Sequence, residues 1–504
     1  MHAREIELKL ELASSDARRL GRLPALKGRS APPVGLRAVY YDTPRGILRR
    51  AGYSLRVRRS GDLWLQTLKH RANGDGILFD RNEWEKKVAG MKPDFRALGS
   101  TPLARLLSGR SLRKLLAPRF EVQVERRSWT VRRGASEIEV VLDEGEAVAG
   151  GRSERVCEVE LELKQGDKSA LFDLAREFAD AIPLRIGVRS KAERGYALAN
   201  GRSARAGRAT KAEPLGLEPG MPVAEAFASV VTNCLRHFRM NERAVERERD
   251  PDALHQARVA MRRLRSAMSL FRPAVAGAEH ERIGAEFRWF TGHLGTARNL
   301  DVFTARLPSR FGVFQSAAEI RLRAALADRR MRAWHKAVEV VGSARLRRLL
   351  LDLVAWVETG DWRLRAQAAA PIDAFAGSQV SKRWTKVRKH GAGLGDLDEE
   401  RLHDLRIHVK KLRYAEEFFV GLAPSAEDRE RRRSAIAALS ELQDSLGAIN
   451  DIATARGLIE SLGLTRRSER GLATRLLRRS GSAEEYLEKA CTAFARLEAT
   501  AEAV

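Results

Sequence analysis

Glu5, Glu7, Lys9 and Glu11 alternate with Ile6, Leu8, Leu10 and Leu12 near the start of this 504-residue chain. In a β-strand that alternation gathers every charge on one face and every aliphatic side chain on the other. Later segments repeat the device with different charges. Arg56 and Arg58 share a face, as do Thr67 with Lys69, Arg81 with Glu83 and Glu85, and Glu158 with Glu160, Glu162 and Lys164. Acids collect on the terminal strands and arginines on the central ones, a sorting that solvent-facing strands have no reason to adopt. Carboxylates bind hard divalent cations such as Mg²⁺ or Mn²⁺, and Arg and Lys neutralise and orient phosphate oxygens. A site holding metal ions beside a phosphate chain needs both sets. The charges are therefore expected to face inward along a polar tunnel, with the aliphatics outside beneath covering helices.

The elements that position these groups follow from the period of the pattern. Up to about residue 200 the period is two, with a turn-like RANGDG at 71–76 and helical segments at 94–107 and 168–182. Residues 201–220, rich in Gly, Ala, Arg and Pro, read as a linker. From Val223 onward Leu, Ala and Arg recur at helical spacing. This half contains a repeat: LHQARVAMRRLRSAMSLF at 254–271 matches LHDLRIHVKKLRYAEEFF at 402–419, and LGTARNLDVFTA at 294–305 matches LGAINDIATA at 446–455. Two related helical bundles with pseudo-twofold symmetry are expected.

Within the first copy, Leu254, Ala257, Met261, Leu264, Met268 and Phe271 cluster on one helical face, and His255, Arg258, Arg262 and Arg265 on the adjacent one. The second copy places His403, Arg406, Lys410 and Arg413 identically, and each copy carries a basic pair, Arg262–Arg263 and Lys410–Lys411. Like charges at i,i+4 repel, so their duplication points to a polyanion-binding face. His255 and His403 each lack a second His or Cys at ligand spacing and read as phosphate donors or helix-cap residues. Further basic helices at 328–341, 344–353 and 381–391 are candidates for the same cavity.

Composition agrees. A net charge of +26 favours polyanionic partners through steering and counterion release. Aromatics are only 6% and do not interleave with basic residues as in single-strand binders, so nucleic acid ranks below inorganic phosphate chains. No apolar run approaches the roughly 18 residues of a membrane helix, and MHAREIELKL lacks the pattern of a secretory signal. Cys157, Cys234 and Cys491 are too few and scattered for a disulfide framework or cysteine metal site. A cytoplasmic protein, with the second half able to locate it on polyphosphate deposits, is the expectation.

The Glu-x-Glu-x-Lys opening, YYDT at 40–43, LRVRR at 55–59, the strand ending at Lys69, Arg81-x-Glu83, Arg126, LDEG at 142–145, CEVELEL at 157–163 and SKAERGY at 190–196 together resemble the CYTH domain of the triphosphate tunnel metalloenzyme family. The resemblance covers residues 1–200 and implies an eight-stranded antiparallel tunnel that hydrolyses triphosphates or makes cyclic nucleotides. It makes Glu5, Glu7, Asp143, Glu160 and Glu162 metal ligands, with Glu158 on the same face. Which two of Glu158, Glu160 and Glu162 match the family's pair stays open. It assigns Lys9, Arg56, Arg58, Lys69, Arg126, Lys191 and Arg194 to the phosphates, and Glu5, Glu7 and Lys9 to catalysis. Arg81 either joins the phosphate set or pairs with Glu83 or Glu85, and Arg194 and Tyr196 either serve the site or pack a helix end.

HQARVAMRRLRS, HDLRIHVKKLRY, RNLD at 298–301 and NDIA at 450–453 resemble the CHAD domain over residues 221–500. That resemblance implies an all-α module of paired four-helix bundles that binds inorganic polyphosphate. The whole reads as an α+β multidomain protein, a Mg²⁺- or Mn²⁺-dependent inorganic triphosphatase joined to a polyphosphate-binding module. The alternatives are a non-catalytic polyphosphate-binding scaffold and an adenylate cyclase of the same tunnel fold.

Overall fold

The period-two segments form strands whose two faces differ in chemistry. The computed structural model describes residues 2–28, 30–70, 78–99, 101–201, 209–306, 317–460 and 482–502. The turn expected at 71–76, the start of the linker, and the side chains of Glu5 and Arg81 lie outside the described residues. The strands are β1 (His2–Glu11), β2 (Val34–Asp42), β3 (Tyr53–Ser60), β4 (Leu63–His70), β5 (Leu78–Val88), β6 (Ala117–Arg133), β7 (Ser136–Ala149), β8 (Arg152–Gln165) and β9 (Arg185–Ile186).

The helices are α1 (Ser14–Leu20), α2 (Ile47–Arg50), α3 (Leu103–Leu106), α4 (Arg110–Lys114), α5 (Ser169–Ala181), α6 (Lys191–Ala199), α7 (Val223–Glu248), α8 (Pro251–Val275), α9 (Ala278–Arg306), α10 (Ala317–Val341), α11 (Ala344–Thr359), α12 (Ala366–Ala369), α13 (Ile372–Gly391), α14 (Glu399–Phe419), α15 (Ala426–Glu460) and α16 (Ala483–Glu502). The chain divides into two units, Met1–Arg208 with Ser343–Gly360, and Ala209–Gly342 with Asp361–Val504.

The first unit holds one antiparallel sheet in the order β5-β4-β3-β2-β6-β7-β8-β1-β9, and β5 also pairs with β1 from His2 opposite Trp84 to Leu8 opposite Leu78. Among the described residues nine strands stand where eight were expected; the ninth is the short β9, laid against Leu10 and Glu11. On one face Val39, Tyr41, Leu55, Val57 and Leu68 pack with Leu98, Leu103 and Leu107. Further round, α5 packs on β8 and buries Leu171, Phe172, Leu174 and Phe178, each contributing about 1.5–3 kcal/mol.

The other face carries the charges of the expected site, and it is apolar at one end only. There Leu36, Ala38, Tyr40, Phe120, Val122, Val124, Ala147 and Val156 receive Tyr196 and Leu198 of α6. A capping box starts this helix: Ser190 Oγ accepts from the Glu193 N–H at 3.1 Å, and the Glu193 carboxylate accepts from the Ser190 N–H at 2.8 Å. Gly195 lets its backbone approach Phe120, since a Cβ there would stand 1.9 Å from the ring.

α11 also belongs to this unit, although its sequence lies within the helical half. It packs on α5 and β9, with Asp352 accepting from Arg176 at 3.1 Å and Arg348 pairing with Asp180 at 2.7 Å. Arg348 is thus committed to structural acids of the first unit and not to the basic cavity expected for residues 344–353.

The second unit is helical. Neighbours pack in chain order, α7 on α8, α8 on α9 and α9 on α10, then α13 on α14, α14 on α15 and α15 on α16. α8 and α14, the two repeat copies, also touch. Both start on an aspartate cap: Asp250 accepts from the Asp252 N–H, and Asp398 from the Arg401 N–H, each at 2.8 Å. Beneath α14 a core joins Leu402, Leu405, Val409 and Leu412 to Leu439, Leu442, Leu446 and Phe494. Residues 209–220, part of the expected linker, are tied to α7: the buried Asn241 side chain accepts from the Thr210 N–H and donates to its C=O, both at 2.8 Å.

Candidate functional site

Register brings the charged residues of β1, β6, β7 and β8 side by side. Lys9 stands opposite Glu160, Glu7 opposite Glu162, and Glu11 opposite Glu158; Asp143 stands opposite both Glu158 and Arg126. Glu7, Asp143, Glu158 and Glu160 are all buried, Asp143 completely. Buried carboxylates require close cations. Lys9 Nζ meets Glu7 at 2.5 Å and pairs with Glu160. Lys191 Nζ, from the first residue of α6, lies 2.7 Å from Asp143, 2.6 Å from Glu158 and 2.8 Å from Glu160. Arg126 grips Asp143 with two parallel bonds of 2.8 and 2.6 Å.

The electrostatics follow from this crowding. Burial alone would lower the Lys9 and Lys191 pKa values, but Glu160 and Glu7 around Lys9, and Asp143, Glu158 and Glu160 around Lys191, hold both above the ordinary lysine range. Burial likewise pushes Asp143 and Glu160 up, and is outweighed by Lys191 with Arg126 for the first and by Lys191, Lys9 and Arg126 for the second. Both end below the usual carboxylate range, Glu160 well below it.

Across the same face the balance reverses. Arg56 lies 3.8 Å and Lys69 3.2 Å from Glu83, and Arg58 3.4 Å from Glu85. The Nε atoms of Arg56 and Arg58 are buried without a hydrogen-bond partner. Repulsion by Arg56, together with burial and Arg126, brings Arg58 down to about 10. This side is short of negative charge.

Of Glu158, Glu160 and Glu162 on β8, the first two lie in the buried cluster, while Glu162 pairs with Lys164 at 2.6 Å. Arg194 bonds Glu154 at 2.9 Å and pairs with Glu11, so it braces α6 against β8 and β1. The backbone of Glu5 stands opposite that of Arg81.

In the first unit two buried acids escaped the sequence reading. Glu154 holds Arg189 at 3.0 Å as well as Arg194, and its signal was the period-two pattern of β8 continued backward from Glu158. Asp42 accepts from the N–H groups of Thr43, Leu48 and Arg49 and from Tyr196 Oη at 3.0 Å, locking α6 to β2. Its only trace was the YYDT string.

The donor set fits a hard divalent cation: it is all-oxygen and anionic, and one buried ammonium already sits within 2.8 Å of three carboxylates. Among the described residues no group of three or more His, Cys, Asp or Glu side chains is arranged to hold a metal ion as it stands. The ammonium groups of Lys9 and Lys191 lie among the carboxylates.

In the second unit α8 and α14 place their basic rows in one electrostatic field. Burial, then Arg262 and Arg298, bring Arg258 down to about 10. Burial, then Arg406, Arg262, Arg265 and Lys411, bring Lys410 down to about 8. Burial with Arg298, Arg262 and Arg258 pushes His255 to about 4. The Nε atoms of Arg262, Arg298 and Arg406 are buried without hydrogen-bond partners.

Other members of the rows are differently engaged. His403 Nδ1 bonds Asn450 at 2.8 Å, Arg265 bonds Thr291 at 3.3 Å, and Arg413 bonds Gln443 at 3.1 Å and pairs with Glu417. Arg263 turns away to Asn233 at 2.9 Å and over the Phe418 ring. Lys411 lies in the field of Lys386 and Arg383, whose repulsion adds to burial in lowering it.

Comparison with known proteins bears on both halves. The CYTH domain model matches residues 3–196 and the CHAD domain model residues 229–460. The chain carries a CYTH domain and a CHAD domain. An inorganic triphosphatase from Haemophilus influenzae is 30% identical over 161 residues, which are 32% of this chain and 44% of that protein, so the match spans less than half of the relative's length. The crystal structure of the CHAD domain from the plant Ricinus communis aligns over 59% of this chain and 97% of its own, at 28% identity and a TM-score of 0.47. A putative adenylyl cyclase from Hippeastrum, described as having a dominant triphosphatase activity, aligns over 40% of this chain and 97% of its own, at 19% identity and a TM-score of 0.32. Among the described residues no helix is long and apolar enough to cross a membrane.

Proposed function

We propose that the CYTH unit hydrolyses inorganic triphosphate with the help of Mg²⁺ or Mn²⁺, and that the CHAD unit holds polyphosphate. The observation that carries the first part is the separation of charge on one sheet face. Buried Glu7, Asp143, Glu158 and Glu160 stand on β1, β7 and β8, and Arg56 and Arg58 with partnerless buried Nε atoms stand on β3. A metal–triphosphate complex has the complementary separation. The additional β5–β1 pairing supports a closed eight-stranded tunnel with these groups inside and α6 plugging one end. The 30% identical triphosphatase supports the substrate class.

Bound by Glu7, Asp143, Glu158 and Glu160, with Glu5 and Glu162 as further expected ligands, a divalent cation would lower the charge of the phosphate oxygens and acidify the attacking water. Arg56, Arg58, Lys69 and Arg81 orient the phosphate chain; a phosphate oxygen between Arg56 and Arg58 relieves the repulsion that lowers Arg58. Lys9 and Arg126 neutralise charge that builds on the leaving pyrophosphate.

In the CHAD unit the carrying observation is the cluster of Arg258, Arg262, Arg298, Arg406 and Lys410, which the Asp451 carboxylate offsets only in part, with three buried Nε atoms lacking partners. The contacts among α7–α10 and among α13–α16 support two four-helix sets related by the repeat.

The test is phosphate release from triphosphate, long polyphosphate, thiamine triphosphate and ATP, each with and without divalent metal. Metal-dependent cleavage of triphosphate, lost about 100-fold or more in Glu7→Gln and Lys9→Ala, is expected; wild-type rates in both variants would refute the site. Cyclic AMP from ATP would favour the cyclase instead. Displacement of polyphosphate from the CHAD unit by DNA at equal charge and fixed salt would refute the second part.

A further inference from the structure

Three carboxylate oxygens within 2.8 Å of the Lys191 ammonium form a coordination shell around a cation, and that cation is covalently part of the protein. Lys191 does not come from the sheet. It is the first residue of α6, directly after the Ser190 cap, so its ammonium can leave the shell by rotation of its own side chain. Lys9 differs: β1 is laddered to β8 on one side and β5 on the other. Followed through Arg194, which also pairs with Glu158, and on to Arg189, the network holds the six acids Glu7, Glu11, Asp143, Glu154, Glu158 and Glu160 against the five bases Lys9, Arg126, Arg189, Lys191 and Arg194, an excess of one acid. Replacing one ammonium by a divalent cation balances them. Keeping both would set a dication and an ammonium against the same oxygens, where their repulsion is strongest.

We infer that Lys191 is the resident cation of this site in the metal-free protein, and that a divalent cation enters by displacing its ammonium from Asp143, Glu158 and Glu160. The displaced ammonium is then released toward substrate phosphate. Lys191 thereby couples metal loading to phosphate capture and holds the carboxylates together when no metal is bound. The inference rests on the metal-dependent reading above and adds to it a competitor for the metal.

The test uses the full chain and Mn²⁺ without any phosphate. Calorimetric titration should show Lys191→Met binding Mn²⁺ tenfold or more tighter than wild type, with Lys191→Arg within threefold of wild type because the charge remains. In EDTA Lys191→Met should melt below wild type, and saturating Mn²⁺ should close that gap. A wild-type measurement needs no variant to fold: acylation of Lys191 by an amine-reactive acetylating reagent, followed by mass spectrometry, should accelerate when Mn²⁺ replaces EDTA. Affinity of Lys191→Met within threefold of wild type, or weaker, overturns the inference, as does unchanged acylation of Lys191. Triphosphate cleavage is scored separately. Wild-type cleavage with an unchanged Lys191→Met affinity removes the exchange and leaves the triphosphatase; tighter binding without cleavage of any phosphate substrate removes the triphosphatase and leaves the exchange.

Discussion

Polyphosphate binding by the CHAD unit should consume protons, with Lys410 as the principal group. Burial and the surrounding Arg406, Arg262, Arg265 and Lys411 bring this lysine from an ordinary 10.5 to about 8 in the free protein. A polyanion laid against the cluster cancels that repulsion and returns the pKa toward its ordinary value. Only the ammonium form attracts the ligand. Affinity is therefore complete below pH 8, where the free protein is already protonated, and falls as pH rises through 8, where binding must first bring a proton from solution. Linkage gives about a tenfold weakening from pH 7 to pH 9 and uptake of about half a proton per site at pH 8. Arg258 and His255 do not share this window: Arg258, brought only to about 10, keeps its charge, and His255, at about 4, is neutral throughout.

The assay is isothermal titration of polyphosphate into the full chain at constant ionic strength, in buffer pairs of differing ionisation enthalpy. Lys410→Met should bind more weakly at pH 7 and lose most of the pH slope. Lys411, also lowered by its neighbours, supplies the remainder. A wild-type affinity changing less than twofold between pH 7 and 9, or an undiminished slope in Lys410→Met, would refute the reasoning.

Three other outcomes follow from the CYTH unit. Glu160→Gln leaves Lys9 and Lys191 each short of a buried carboxylate and should destabilise the unit by about 3–5 kcal/mol, read as a lower denaturation midpoint. Because Glu160 is held below its ordinary pKa, its contribution is present above about pH 4 and lost as pH falls through the folded value, so the gap between variant and wild type should narrow in acid. Gly195→Ala would drive a Cβ into Phe120; a loss of about 1–3 kcal/mol and impaired triphosphate cleavage are expected, and an unchanged melting curve would contradict the docking of α6. A fragment ending at Arg208 lacks α11, which packs on α5 and β9. It should melt below the full chain's CYTH transition, and a fragment as stable as the full chain would show that α11 is dispensable.

The faces of the sheet were legible in the sequence because β-strand geometry forces charges at i and i+2 together, and because acids and arginines were segregated by strand. What alternation cannot encode is which strands are neighbours. That β1 lies between β5 and β8 sets which cations meet Glu160, and this is decided by loops and by packing over the whole sheet. The capture of α11 by the CYTH unit was hidden for a related reason: Leu349, Leu350 and Leu353 declare a buried helix without naming the surface that buries it. Arg263 was within reach of the sequence. Positions 262 and 263 stand 100° apart on a helix, so a basic pair cannot keep both members on one face; Arg262 stays in the row while Arg263 reaches Asn233 and Phe418. Helical angle separates the two members of a basic pair, but it does not foresee that Arg413, on the row of α14, is taken by Gln443 and Glu417. By the same criterion the second copy should divide at Lys410 and Lys411, which is why the proton linkage is assigned chiefly to Lys410.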